Sequence, residues 1–420
     1  MRNLRPLKNR HFVGAYLLAI GLALLGLCFL PSHLNAQEKK ISKPDQERIK
    51  KLVDCVLKTQ LSDGAIPAVG YRFEGQPVHI DPYFVNLSML GLCASDGPLP
   101  DPRIGSCVKN WLNWCSVNQN EDGTFSRYDG TLLAASRTIG NTQTIAPDSH
   151  DSYAAGYLSV VEACHYRRGQ ENLAPALLQS CMQAFQVLER CKDPGNGFYW
   201  NFDPQQVPDG KVLSQYMLDN IEVMQGLQAA QVIFTKSNEM ELAELAQQRA
   251  VELQNSLHKF YHPQNEYFGC MYGDVVRDVP WGTQVARSER LATVSALGFL
   301  DNVPVTKRET LWGKLMQTHG KALNASFSQP NFTDEDPTIE RVYFASLRGA
   351  SGQEQKRLLG LVRKRIDQIL KIEKQLDIPG QQGRSFPFVH RYGMLIQALL
   401  INADQQPAEL PNIKVEFEAP

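Results

Sequence analysis

Two carboxylates occupy a stretch where a carboxylate needs explaining. Asp219 and Glu222 lie in the run YMLDNIEVMQGLQAA, where Met217, Leu218, Ile221 and Val223 would strip water from a nearby charge. Desolvation raises a carboxyl pKa and lets the group hold a proton near neutral pH. Asp151 stands in DSHDSYAAGYLSVVEA beside Asp148 and His150, a polar setting that keeps a carboxyl ionised. A proton-holding carboxyl and an ionised one are the two halves of general acid–base chemistry. The first pair is therefore Asp219 as acid and Asp151 as base. Glu222, one helical turn beyond Asp219, is placed to share or exchange roles with it.

These residues must be positioned by helices. Hydrophobic periodicity predicts about twelve, near 43–61, 82–95, 103–118, 148–167, 173–191, 212–234, 238–260, 286–300, 305–319, 336–350, 353–376 and 390–402. Their character alternates. The odd ones are charged with one apolar stripe, as in Leu242, Ala246, Ala250, Leu253, Leu257 and Phe260. The even ones are apolar almost all round, as in YFVNLSMLGLCA and YGMLIQALLI. A one-sided helix lies outside and an all-round apolar helix lies inside. About six inner helices ringed by about six outer ones predict an all-α (α/α)6 toroid, with an open solenoid as the alternative. Strand signals are confined to short hairpins in the loops.

The punctuation supports the repeat. Asp63-Gly64, Asp122-Gly123 and Asn196-Gly197 each follow a helical stretch and precede an aromatic or aliphatic pair, with a weaker copy around Asn265. Asp-Gly and Asn-Gly turn the chain without steric cost, and a recurrence of roughly sixty to seventy residues suits a helix-hairpin unit.

IDPYFVNLSMLGL (80–92), DSHDSYAAGYLSVVEA (148–163) and YMLDNIEVMQGLQAA (216–230) lie at corresponding places in the repeat. On these motifs the N-terminal half resembles the six-hairpin glycosidase fold, and more specifically exported bacterial proteins of that fold; the C-terminal half matches by pattern only. The resemblance implies carbohydrate chemistry, with an oligo- or polysaccharide as substrate and no cofactor. It also implies that inner-helix N-termini point to one face. Asp81 would open the second helix there, Asp148, His150, Asp151 and Tyr153 the fourth, and Asp219 and Glu222 the sixth. Trp281 precedes the eighth, and Arg384, His390 and Arg391 lead into the twelfth. Glycoside hydrolysis needs one carboxyl to protonate the leaving oxygen and one to activate water or attack. Trp200 and Trp281 offer flat faces for sugar rings. A lyase or epimerase would instead take Tyr153, Tyr392, His150 or His390 as base, with Arg384 or Arg391 neutralising a uronate. A non-catalytic toroid that binds polysaccharide is the third reading.

Plainer roles compete for the same residues. Asp148 and Asp151 suit a helix cap and first turn, and Asp81 before Pro82 is a cap. Asp219 or Glu222 could be a buried ion-pair partner of Arg384 or Arg391. His150 and His390 could be structural, and the loop aromatics could plug hairpins.

Composition bounds the rest. A 420-residue chain with net charge −1 and 43% hydrophobic residues is neither a generic nucleic-acid binder nor disordered. Arg2, Arg5, Lys8 and Arg10, the apolar run Phe12–Leu30 and Leu34-Asn35-Ala36 read as a signal peptide over 1–36, or as an uncleaved membrane anchor. That leaves a toroid domain over 37–402 and a polar tail over 403–420, exported to the periplasm or beyond as a monomer. Eight of the 9 cysteines fall outside the leader, mostly on apolar helix faces, which predicts buried thiols rather than a disulfide framework. The chain has no metal motif, phosphate loop, dinucleotide fingerprint or GxSxG elbow.

Overall fold

The structure is a computed structural model that describes residues 41–68, 75, 77–133, 137–166, 172–262, 267–272, 310–317, 352–376 and 389–401. The expected leader, the tail and the helices expected near 286–300 and 336–350 lie outside the described residues.

Helix α1 (Lys43–Thr59) starts on Ser42, whose Oγ accepts the Asp45 amide, and Pro44 sits in its first turn, where its missing N–H costs nothing. The same device opens α2 (Pro82–Asp96) and α3 (Pro102–Asn118): Asp81 and Asp101 cap, and a proline follows. Then come α4 (Asp151–Val161, continued by a π-helical turn, Glu162–Tyr166), α5 (Pro175–Cys191), α6 (Met217–Lys236) and α7 (Met240–Ser256). After helical residues 310–317, the last described helices are α8 (Gly352–Leu376) and α9 (Val389–Ile401). Most predicted helices stand within a few residues of these bounds. The predicted 212–234 helix starts later, at Met217, because the Ser214 and Gln215 carbonyls accept the Asn201 and Tyr272 amides and Tyr216 forms a bridge with Met271.

The alternation is one of layers. α2, α4, α6 and α9 bury nearly every face; α1, α3, α5, α7 and α8 lie around them and bury a stripe such as Ile49, Leu52, Val53 and Val56. Each fully buried Leu, Ile or Val contributes about 1.5–3 kcal/mol of transfer free energy, so both layers depend on the shared core.

Small residues let the inner helices touch. A Cβ on Gly226 of α6 would lie 2.5 Å from the Ala155 Cα of α4, and one on Gly91 of α2 would lie 2.4 Å from the Gly393 Cα of α9. The second contact joins the first inner helix to the last, so the inner layer closes on itself. The outer layer closes at the same seam: Arg363 of α8 pairs with Asp45 of α1 at 2.6 Å, and Arg48 with Asp367 at 2.9 Å. The fold is an all-α toroid of helical hairpins, not an open solenoid.

The glycine turns are the bolts between hairpins. Gly64, Gly123 and Gly197 all have positive φ (+95°, +86° and +81°). In each turn the preceding side chain, Asp63, Asp122 or Asn196, accepts the backbone amide two residues on. Each glycine presses on the next outer helix, with ideal Cβ positions 2.5 Å from Asn110 O, 2.6 Å from Gln183 O and 2.6 Å from Ser256 Oγ. Gln60 and Gln119, the C-caps of α1 and α3, repeat one pattern: each donates Nε2 to the turn glycine's carbonyl and to a carbonyl of the next outer helix, Cys107 or Ser180. The weaker copy around Asn265 lies outside the described residues.

The strands are longer than the short hairpins expected. β1 (Pro77–Ile80), β2 (Arg127–Leu133) and β3 (Thr138–Ile145) form an antiparallel sheet in that order, and β4 (Tyr261–His262) pairs with β5 (Tyr267–Phe268). β1 runs straight into the Asp81 cap of α2, so the sheet lies at the N-terminal end of the inner helices. A Cys93–Cys164 disulfide joins the far ends of α2 and α4, while Cys55, Cys107, Cys115, Cys181 and Cys191 are buried thiols. Among the described residues, one bond rather than a framework agrees with the apolar setting of most cysteines.

Candidate active site at the inner-helix N-termini

Four inner helices bring their first turns to one end of the ring. Asp81, Tyr83 and Phe84 come from α2, Asp151 and Tyr153 from α4, Asp219 and Glu222 from α6, and His390 and Arg391 from α9. The contacts cross helices. Tyr83 donates its hydroxyl to Glu222 Oε1 at 2.9 Å. Tyr153 donates to Asp81 Oδ1 at 2.7 Å, and its ring stacks on Tyr83 with centroids 5.9 Å apart. Phe84 stacks on His390 at 4.8 Å, tying the last inner helix to the first.

The two carboxyl environments are the reverse of those expected. Asp151 is fully buried: Oδ1 accepts the Ser152 amide at 2.7 Å, and Oδ2 has no hydrogen-bond partner among the described residues. Burial pushes its pKa up from 3.8 to about 8; the Ser152 amide opposes the rise and the Glu222 charge adds to it. Asp219, expected to be desolvated, is half-buried at the rim. The cause is depth along the helix: Asp219 is in the first turn of α6, whereas Glu222, one turn deeper, is 6% exposed. The proton-holding carboxyl is thus on α4, and the buried carboxyl of α6 is Glu222.

Asp148 does not cap α4. The helix begins at Asp151 with His150 as its N-cap and no side-chain cap bond. The preceding segment is pinned elsewhere, through the His150 amide to Asn201 O at 2.6 Å. Asp148 is left exposed, paired with Arg127 at 3.0 Å and Lys211 at 2.8 Å. His150 is buried edge-on to Phe202; its Nδ1 accepts the Asp203 amide at 3.3 Å, and burial lowers its pKa. It is a packing histidine in this structure. Asp81 is the expected cap, accepting the Tyr83 amide at 3.0 Å, and is also the acceptor for Tyr153. Tyr153 is nearly fully buried, and burial holds its phenol well above the ordinary range.

Trp200 is half-buried, while its neighbour Tyr199 is fully buried and pinned through its amide to Asn220 Oδ1 at 2.8 Å, a hairpin plug. His390 and Arg391 are fully buried. Tyr392 donates to Glu373 of α8, which commits its hydroxyl to the seam between the layers rather than to the mouth. Trp281 and Arg384 lie outside the described residues. No cluster of metal-binding side chains occurs among the described residues, and none of their helices is long and apolar enough to cross a membrane. A groove of about 480 Å³ lies at the opposite end, between α1 and the start of α3, lined by Ile49, Val53, Leu99 and Arg103. It touches none of the carboxyls at the mouth.

Four participants at the mouth escaped the sequence reading: Tyr83, Phe84, His79 and Asp129. The signal for Tyr83 was its place in the first turn of an inner helix. His79 and Asp129 meet only because β1 and β2 pair, Nδ1 to Oδ1 at 2.6 Å.

No family model matches the chain, and no curated protein matches it. Among solved structures it is similar to a glycosidase variant in complex with glucose, at 11% identity and a TM-score of 0.49 over 88% of this chain and 98% of that one. It is also similar to a sugar epimerase from a ruminal bacterium (11%, 0.48, 86% of this chain and 98% of that). A third is a reducing end xylose-releasing exo-oligoxylanase (13%, 0.46, 89% of this chain and 94% of that).

Proposed function

We propose that this protein is an exported glycoside hydrolase that works through two carboxyl groups at the inner-helix mouth of the toroid. The observation that carries the reading is Asp151: a fully buried carboxyl, protonated at neutral pH, beside the charge of Glu222 on the next inner helix. Asp151 then serves as general acid, delivering its proton to the leaving glycosidic oxygen. Glu222, whose Oε1 accepts the Tyr83 hydroxyl, serves as the ionised partner that activates water or attacks the anomeric carbon. Asp219 at the rim and the faces of Tyr83, Phe84 and Trp200 contact the sugar. The Cys93–Cys164 disulfide supports an oxidising compartment, in line with the leader-like N-terminus.

The test is reducing-sugar release by the mature chain across a panel of oligo- and polysaccharides, followed by Asp151→Asn and Glu222→Gln on whichever substrate turns over. Each variant is expected to lose activity by about a hundred- to ten-thousand-fold. Absence of release from every substrate, or full activity in both variants, would overturn the assignment.

A further inference from the structure

We infer that His79 is a positioning residue for the mouth: a histidine strut that braces the buried Asp81 carboxyl group and, through it, the tyrosine pair above the Asp151–Glu222 site. The role attached to that site rests on the function proposed above; the strut itself does not.

The placement begins with strand alternation. In β1, Val78 and Ile80 point into the core, so His79 must point to the other, half-open face. Asp129 is its register partner on β2, and directly opposed residues share a face. His79 Nδ1 therefore meets Asp129 Oδ1 at 2.6 Å, which aims Nε2 at Asp81 Oδ2, 3.8 Å away. β1 leads directly into α2, which gives the strand a short lever onto the helix cap.

Asp81 is 1% exposed and already accepts the Tyr83 amide and the Tyr153 hydroxyl through Oδ1. A buried carboxylate is costly without a counter-charge. His79 supplies it. The Asp81 carboxylate first, then Asp129, raises the imidazole pKa above 6.5 against the opposing effect of burial. The other groups whose charge reaches Tyr153 are Asp148 and Arg127, which are paired with each other. Beyond Asp81 the strut continues through Tyr153, stacked on Tyr83, to Glu222. Four elements, β1, α2, α4 and α6, are thus keyed by one chain of contacts that starts at a half-open histidine. An ordinary surface ion pair would be worth little; this one ends on a buried carboxylate.

The experiment is histidine-selective NMR on the mature chain, with His79 assigned from His79→Gln and tyrosine rings labelled alongside. His79 is expected to titrate above 6.5, and Asp129→Asn, at a half-exposed position that should tolerate the change, is expected to lower that midpoint. His79→Gln should shift the ring signals of Tyr83 and Tyr153, and His79→Lys, which restores a cation, should return them towards wild type. An ordinary His79 midpoint that Asp129→Asn leaves unmoved would overturn the inference, as would unaltered tyrosine signals in His79→Gln. If His79→Gln does not fold, His79→Lys supplies the assignment, and the Asp129→Asn midpoint and the tyrosine signals of that variant decide. None of these readouts needs a substrate, so failed turnover with the expected titration sinks the hydrolase and keeps the strut. Where a substrate is turned over, His79→Gln should lower kcat by up to about a hundredfold with KM little changed.

Discussion

Asp151→Asn should make the protein more stable as pH rises, while it removes the proposed acid. The argument starts from burial. A carboxyl whose folded pKa is raised binds its proton more tightly when folded, so its contribution to stability is fully present below its ordinary value of 3.8. That contribution is lost progressively as pH climbs towards about 8. Each pH unit in that window costs about 1.4 kcal/mol, so at pH 6 the wild type carries a penalty of about 3 kcal/mol, an upper figure because water entry softens it. Asn has the shape of the neutral acid and cannot ionise, so the variant escapes the penalty. Its second N–H needs a partner, which costs at most about 1–3 kcal/mol and does not vary with pH. The expected result is therefore a difference in Tm between variant and wild type that widens in the variant's favour from pH 4 to pH 8, by roughly 5 °C for a domain of this size. His150, whose lowered pKa destabilises the fold as pH falls below 6.5, is present in both proteins and cancels in the comparison. Calorimetry at one-unit pH steps is the measurement. Parallel Tm curves would mean that Asp151 is ionised in the fold and would refute both the burial argument and its role as acid.

Other outcomes follow from the same geometry. Gly123→Ala places a Cβ 2.6 Å from Gln183 O at φ +86° and should cost about 2–5 kcal/mol, whereas Gly210→Ala, at φ +75° with open space around it, should cost only the strain of about 1–2 kcal/mol; equal Tm losses would discredit the bolted-turn account. Cys93→Ala with Cys164→Ala should lower stability by about 2–4 kcal/mol, read in urea melts, and reductant should leave that double variant unaffected. Tyr83→Phe should strip Glu222 of one donor and lower kcat on any substrate that the wild type turns over; unchanged turnover separates Tyr83 from the mechanism. N-terminal sequencing of exported protein should find a start near Gln37, and retained Met1 would establish the anchor instead.

What was legible in the chain is what repeats locally. The change from one-sided to all-round apolar helices depends on each helix alone, so the alternation of layers could be read from periodicity. The glycine turns could be read because positive φ leaves few residue choices. Depth along an inner helix could not. Asp219 and Glu222 differ by one turn, and only the packed ring says that the first lies at the rim and the second below it. Asp148 misled because a good capping residue was outbid by a tertiary bond, the His150 amide to Asn201 O. The contact between His79 and Asp129 requires knowing which strands pair across 50 residues, and the Cys93–Cys164 bond is one of many pairings that eight cysteines permit.

The placement of carboxyls at this mouth sets two effects against each other. A helix N-terminus favours a negative charge by about 0.3–1 kcal/mol, and somewhat more when partly buried. Removing a carboxylate from water costs several kcal/mol. Where the site is dry the second effect wins, so Asp151, in the first turn of α4, keeps its proton despite the dipole behind it. Where donors converge the balance changes: Asp81 caps α2, accepts an amide and a phenol, and has His79 at hand. Parallel inner helices thus offer the same favourable end to every carboxyl, and local drying and local donors decide which hold protons. That is how similar helix ends come to give Asp151 and Asp81 different surroundings.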